Sequence, residues 1–356
     1  MKKLSVAIVL SLFVLQSLSS AQLLIGARSA GMGGTGVAVS RNIPSVYYNP
    51  AAFMRSGTGQ FLLSLGASYS NYDKLLEAIQ DASDPAQFLI KNYANAYNFN
   101  GSASGILGFN IAKVGISAIP VGSATLNKAA NTLAGSINAN SLSYGALTLG
   151  HTFKVSWLPA SLDVGTNLKY IFGYMGALTA TSAGGTQAWS TGSGVGLDLG
   201  ALTEVSVPWV TKMSLGFAAR DLFASVNFQN YTQALISTGT TFTYGPTVDL
   251  GSTSTPINSS YVLGVGATVP VVNMLLAADL ENVSGSGNMN THIGIEYPLF
   301  MGTLVLRAGL ASGNNLSDTT FGVGFGFPFM TMDLAYVADG LNSSNSSYVF
   351  DFGIGL

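Results

Sequence analysis

Cysteine is absent from this 356-residue chain, so it holds no disulfide and no thiolate metal site. Charge is scarce as well. Asp, Glu, Lys and Arg make up 8% of the residues, against about 25% in soluble domains. The formal net charge of −2 argues against nucleic acid as a partner. Only two histidines are present, His151 and His292, and they fall far apart on different predicted strands. With no close His/Asp cluster, we expect no catalytic set, no metal site and no cofactor.

A helical membrane span is also missing. Residues 261–278 run for 18 positions without a charge, which meets the length threshold for a spanning helix. Pro270 and Asn273 interrupt that run beside Gly264 and Gly266. Tyr261, Leu263, Val265 and Ala267 alternate with Val262, Gly264, Gly266 and Thr268, so it reads as two short strands around a Pro-Val-Val-Asn turn.

Glycine and apolar side chains, by contrast, are abundant: 43 glycines, 48% hydrophobic residues and a mean hydropathy of +0.40. Residues 1–21 read as a secretory signal. Lys2 and Lys3 form the basic start, 4–15 the apolar run and Ser19-Ser20-Ala21 the cleavage site. An exported, apolar, strand-rich chain without spanning helices has one membrane solution, a closed barrel, because lipid cannot satisfy an open sheet edge.

Residues 60–72 show the strand signature. Phe61, Leu63, Leu65, Ala67 and Tyr69 point one way; Ser64, Gly66, Ser68 and Ser70 point the other. Residues 73–96 break that pattern, and Ser83-Asp84-Pro85 reads as the start of the second of two short helices on an external loop. Further strands are expected near 97–111, 113–126, 141–154, 161–178, 189–206, 211–224, 259–269, 272–283, 288–298, 303–312, 318–327, 330–338 and 346–356. The total is about fourteen, an even number, as single-chain bacterial barrels require. Short connections, such as 112–113 and 328–329, alternate with mostly longer polar ones at 73–96, 127–140, 179–188, 225–258, 284–287, 313–317 and 339–345. That asymmetry predicts short periplasmic turns, external loops and both termini in the periplasm of a diderm bacterium.

The apolar residues alone set the phase of the strands that carry these charges, and that phase turns the charges inward. Asp163, Lys169, Asp198, Glu204, Arg220, Asp279, Glu281, Glu296, Arg307, Asp333 and Asp351 all fall on the lumen face. A basic residue facing lipid at mid-depth would cost about 2–4 kcal/mol. Strand 141–154 resists phasing, since Tyr144 lies on one face and Leu147, Leu149 and Phe153 on the other. Asp279 and Glu281 share an inward face as a carboxylate pair would; lumen charges of this kind pair with Arg or Lys across strands.

Residues 26–53 differ from everything after them. They are rich in glycine, show no period of 2 or 3.6 and end in Tyr47-Tyr48-Asn49-Pro50-Ala51-Ala52. Gly31-Met32-Gly33-Gly34-Thr35-Gly36 matches the G-x-G-x-x-G dinucleotide pattern. That pattern needs a strand before it and a helix after it, whereas here a leader precedes it and Pro44 and Pro50 break the segment downstream. The better reading is a plug, with Gly31, Gly33, Gly34 and Gly36 packing tightly and Asn49, Pro50 and Ala51 fixing its tail. We divide the chain into a signal at 1–21, a hatch at 22–58 and a barrel at 59–356. About fourteen strands leave a lumen that would leak unless obstructed.

Ala27-Arg28-Ser29-Ala30-Gly31-Met32-Gly33-Gly34 and Tyr47-Tyr48-Asn49-Pro50-Ala51 resemble the hatch of the FadL family of outer-membrane transporters. Within that family, strands such as 194–201, 215–222 and 291–297 are most similar to the PorV-type and TraF-like branch. The resemblance implies a fourteen-stranded all-β transmembrane barrel with a lumenal hatch and passage of hydrophobic, long-chain fatty acid-like molecules that leave sideways through the wall. Its implied partners are outer-membrane lipid and a hydrophobic small-molecule ligand. The PorV-like branch implies an alternative, a scaffold for protein secretion with a secretion-machinery partner. The chain departs from the family in ending at Leu356 rather than at an aromatic residue, and in its shorter, more polar external loops.

Overall fold

Alternation along the chain resolves into sixteen strand segments among the described residues. They are β1 Gln60–Ser70, β2 Tyr97–Ile111, β3 Val114–Ile119, β4 Val121–Lys128, β5 Gly135–Lys154, β6 Ser161–Thr181, β7 Gly184–Val207 and β8 Val210–Ser237. They continue as β9 Phe242–Pro256, β10 Ser260–Val269, β11 Met274–Val283, β12 Met289–Leu299, β13 Leu304–Gly313, β14 Leu316–Phe327, β15 Met330–Asp339 and β16 Ser346–Gly355. The structure is a computed structural model that describes residues 25–70, 85–154, 160–207, 210–239, 241–285, 287, 289–341 and 346–355. The predicted signal peptide and the first of the two expected loop helices lie outside the described residues.

The sixteen segments make fourteen staves. β3 and β4 lie either side of Pro120 and both pair with β2 and β5. β9 and β10 lie either side of residues 257–259 and both pair with β8. All pairings are antiparallel. β1 pairs with β2 and with β16, Phe61 standing opposite Phe109 on one side and Ile354 on the other, so the barrel closes. Closure leaves no unpaired edge where water is absent.

Phase is as the apolar residues set it. On β1, Phe61, Leu65 and Ala67 face out while Leu62, Ser64 and Gly66 are buried inside. Leu107, Ile116, Leu168, Leu263, Ile293 and Leu306 continue the outer apolar belt around the wall. β5 also resolves. Leu147, Leu149 and Phe153 face out, and Tyr144 points in, packed among buried apolar residues. No single face of that strand looked apolar because its inward side also has to be apolar there.

Three expected loops prove to be strand. Residues 127–140, 179–188 and 225–258 are largely taken up by the far ends of β4 to β9, and only residues 182–183 separate β6 from β7. β8 alone runs 28 residues, whereas about 9–11 suffice to span a membrane. These extensions carry Ser, Thr, Asn and Gln, and β9 is exposed along nearly its whole length, so they lack the apolar alternation by which strands are read. The expected alternation of short and long connections therefore does not hold: turns of two residues occur at both rims, as at 314–315. The wall is lopsided. β11 to β16 are 10–12 residues each, while β5 to β8 rise far beyond them.

Both termini of the barrel lie at one rim, which we term the near rim. At the far rim the second expected helix is present as Pro85–Lys91. Residues 25–58 fold inside the barrel toward the near rim as short helical turns at Ala27–Ala30, Ser45–Tyr48 and Pro50–Arg55.

Candidate functional site

The hatch presses on staves all around the barrel, and small residues make the approach possible. On the inner wall, a Cβ added at Gly309 would overlap the Gly33 amide nitrogen, one at Gly200 would overlap Asn49, and one at Gly165 would overlap Pro50. At Gly216 it would overlap Val37, and at Gly294 it would lie 2.7 Å from Met32 Cβ. These wall glycines leave the space into which hatch backbone fits, which a side chain would fill. In the hatch itself, Gly33 (φ 70°) and Gly34 (φ 86°) occupy the left-handed region that glycine adopts without strain. Gly31 approaches Gly322, and Gly36 lies beneath the Tyr48 ring.

Buried hatch backbone needs partners, and the wall supplies them as side chains. Asp279 Oδ2 accepts from Gly36 N at 2.7 Å and Val37 N at 3.0 Å. Asp351 Oδ2 accepts from Ala27 N at 2.7 Å, and Thr320 Oγ1 accepts from Gly33 N at 2.8 Å. Asn167 Nδ2 donates to Val46 O at 2.6 Å and to Asp198 Oδ2 at 2.8 Å. His292 Nδ1 lies 2.8 Å from Gly33 O. Asn49 acts from the hatch side. Its Nδ2 donates to Val37 O (2.8 Å) and to Ala201 O of β7 (3.1 Å), and its Oδ1 accepts from Ala51 N (3.0 Å). Each such bond prevents an orphaned buried group, which costs about 1–3 kcal/mol.

Ion pairs lie on both sides of the hatch. Toward the near rim, Arg28 bonds Glu296 through Nε at 2.7 Å and Nη2 at 2.9 Å. Arg307 joins Glu296 (2.8 Å) to Asp333 (2.6 Å), the inward ladder of alternating charge that their strand order predicts. Arg55 joins Asp163 (2.7 Å) to Glu204 (2.6 Å). On the far side, Lys169 bonds Asp198 at 2.7 Å and also Asp221, and lies 5.1 Å from the Tyr144 ring centre. Arg220 pairs with Glu281 and stacks over Tyr47 at 5.0 Å. Burial pushes the Tyr47 phenol up to about 12, so it stays neutral at physiological pH.

The anticipated lumen charges thus share one belt, but two features were not anticipated. First, Asp279 and Asp351 bind hatch amides rather than a cation on a neighbouring strand. Second, two of the positive partners, Arg28 and Arg55, come from the hatch. An excess of inward carboxylates over inward cations was the signal for that. Asp221, Thr320 and Asn167 carry no sequence signal, because a lone hydroxyl, amide or bend residue forms no pattern.

Between this belt and the far rim the inner face changes character. Ile171, Ala224, Val226 and Phe228 form a buried apolar cluster with Leu142, Tyr144 and Met175 packed against it. Above it lies a second cluster that includes Phe99, Leu126, Leu178, Leu235 and Phe242. Beside the hatch the wall ladder is interrupted on its β5 side, between Ile119–Tyr144 and Gly122–Ser141, while Gly105 N of β2 still donates to Pro120 O at 3.0 Å. Pro120 has no amide to donate, and Val121 N turns to Ser143 Oγ at 3.4 Å in place of a ladder bond.

No family model matches this chain, and no curated protein matches it. Solved structures do. The toluene transporter TodX of P. putida superposes with a TM-score of 0.61 at 13% identity, over 93% of this chain and 98% of that one. The Ralstonia pickettii toluene transporter TbuX gives 0.58 at 14% identity, over 92% and 97%. The monoaromatic hydrocarbon channel CymD gives 0.56 at 13% identity, over 92% and 96%. At this identity the likeness establishes a shared fold, the closed fourteen-stave barrel. It does not reach the narrower kinship with PorV-type proteins.

Proposed function

We propose that this protein is an outer-membrane channel for uncharged hydrophobic small molecules. The observation that carries this reading is the apolar inner face that runs from the far rim down to the hatch, through Leu178, Phe99, Phe228 and Ile171 to Tyr144. Pockets for small ligands are mostly apolar with a few polar groups. In this reading the outer belt sits in lipid, the near rim faces the periplasm, and residues 25–58 block ions and water. The proteins TodX, TbuX and CymD, which share the fold, are described as toluene or monoaromatic hydrocarbon carriers. Their cargo supports an apolar cargo here.

Charge bears on which hydrophobic molecule. Lys169 and Arg220, at the floor of the apolar lumen, are already engaged by Asp198, Asp221 and Glu281. A fatty-acid carboxylate arriving there meets carboxylates that already hold both cations. We therefore narrow the expected fatty acid-like cargo to uncharged molecules. The interrupted ladder at Pro120 lies where the apolar lumen meets the hatch, and it is our candidate for the sideways exit into lipid. The function needs no catalytic residue and no cofactor. The secretion-scaffold alternative draws on no feature of this barrel.

Planar-bilayer recording and uptake of an uncharged fluorescent aromatic into vesicles test the proposal together. The intact protein should pass negligible current yet take up the probe. Asn49→Ala should lower uptake, because Val37 O, Ala201 O and Ala51 N then lose their partner. Large current through the intact protein would mark a general porin. A closed barrel without uptake would overturn the channel reading.

A further inference from the structure

We propose that Asp318, with Asp339 beside it, excludes anionic amphiphiles from the lumen above the hatch. The inference rests on the channel reading above and names the residues that set its charge preference. Asp318 and Asp339 stand directly opposite each other on β14 and β15. Thr320, two residues from Asp318, takes the Gly33 amide, so this pair faces the lumen one step from the hatch toward the far rim. Side chains so placed have Cβ atoms about 4.5–5.5 Å apart, and like charges there destabilise a sheet. Chains depart from sound local rules mainly where function asks for it.

No cation reaches Asp318. It is 9% exposed and makes no hydrogen bond or ion pair among the described residues. Asp339 Oδ1 accepts from Leu341 N at 2.8 Å. Arg307 is the only arginine or lysine on β12 to β16 among the described residues. It stands opposite Gly322, about 13 Å along the strand from Asp318, and is held by Glu296 and Asp333. His292 lies in the same row two strands away, about 10 Å off, and is turned to Gly33 O and Glu281.

The rest of the lumen sharpens the contrast. Toward the near rim, Arg28, Arg55, Arg307 and Lys212 balance Glu296, Asp163, Glu204 and Asp333. On the far side, Lys169 and Arg220 face Asp198, Asp221 and Glu281, so carboxylates exceed cations before Asp318 and Asp339 are counted. Lys128 stands at the far end of β4, where three carbonyls take its ammonium. The excess negative charge therefore lies on the side from which cargo enters. A cleft with low-dielectric walls focuses such a field and changes local ion concentrations by about 10–1,000-fold. An anion is kept out by that factor, and a neutral molecule is not.

Two probes with one aromatic frame separate charge from size. N-phenyl-1-naphthylamine is neutral, and 8-anilino-1-naphthalenesulfonate is the same frame with a fixed negative charge. In vesicles carrying the purified protein, the neutral probe should enter at least about tenfold faster than the anion, after subtraction of uptake by protein-free vesicles. Asp318→Asn should raise anion uptake about tenfold and leave neutral uptake unchanged. Asp339→Asn keeps an oxygen for Leu341 N and should act in the same direction. Asp249→Asn, on the exposed β9, should change neither. Anion uptake unchanged in Asp318→Asn, or equal uptake of both probes by the wild type, would overturn the filter and leave the channel standing. A rise in both probes together would also overturn it, since the substitution would then have loosened the barrel. So would an equal rise in Asp249→Asn, which would trace the effect to net charge. Wild-type protein that takes up neither probe would overturn the channel and the filter together.

Discussion

The two halves of the lumen solve opposite problems with the same strands. Near the termini, the wall presents glycines and polar side chains that meet hatch atoms at many points. Toward the far rim, the same staves present Ile171, Val226 and Phe228 in one apolar cluster and Leu178 and Leu235 in another, the second shared with the helix Pro85–Lys91. The hatch belt is specific because hydrogen bonds and ion pairs demand direction and register. The far lumen is permissive, because dispersion and hydrophobic burial depend on area rather than angle. In the channel we propose, the contrast is that of a seal that must not slip, beneath a chamber that must accept and release.

The sharpest way to break this comparison is to remove the seal. Deleting residues 26–46 should convert a protein with no measurable current into a stable conducting pore, while the outer apolar belt still inserts in lipid. A closed deletion variant would show that the far chamber seals by itself.

A single added side chain should do part of the same damage, and only on the lumen face. Gly309→Val places side-chain carbon where Gly33 N now lies, and backbone cannot give way as a flexible side chain can. Overpacking of this kind costs about 1–3 kcal/mol. We expect leak current and a lower temperature for loss of heat-modifiable gel mobility. Gly145→Val, which meets nothing within 4 Å, should behave as wild type. Equal effects from the two would mean that the hatch does not bear on the wall.

Arg307→Leu should cost a similar amount of stability. Glu296 keeps Arg28, but Asp333 loses the partner held at 2.6 Å. The loss is about 1–3 kcal/mol for a carboxylate left short of a partner, again visible as a lower heat-modifiability temperature. Wild-type mobility would place Arg307 in bulk water. The smallest effect is expected in the permissive half. Phe228→Leu keeps the apolar lining and most of the volume, so stability should change by less than about 1.5 kcal/mol. Current should stay at zero and probe uptake should change little. A leak in this variant would show that the chamber is part of the seal.

Much of this arrangement was legible in the chain. A period of 2 turns Arg307 inward once Leu304, Leu306 and Leu310 face lipid, and the same holds for Asp333 on β15 and Asp351 on β16. The hatch is legible from its composition, and Asn49 in its Asn-Pro-Ala tail is the residue expected to fix its backbone. The far ends of β4 to β9 were not legible as strand, because they lack the one apolar face that lipid imposes and no periodicity marks them. Nor was the pairing of hatch to wall. Arg28 and Glu296 are 268 residues apart, and no spacing along the chain relates them.

By itself the sequence determined that the chain closes into a barrel, which faces are apolar and which segment is foreign to the wall. Those outcomes arise from local alternation and from what lipid can solvate, and both act residue by residue. The tertiary structure alone decided which inward carboxylate meets an arginine and which meets a backbone amide. It also decided that glycines of β6, β7, β8, β12 and β13 all come to lie against the hatch, and that Phe88 enters the far mouth. Those outcomes depend on strand stagger around a closed ring, where each residue's neighbour across the lumen is set by the register of all the staves between them.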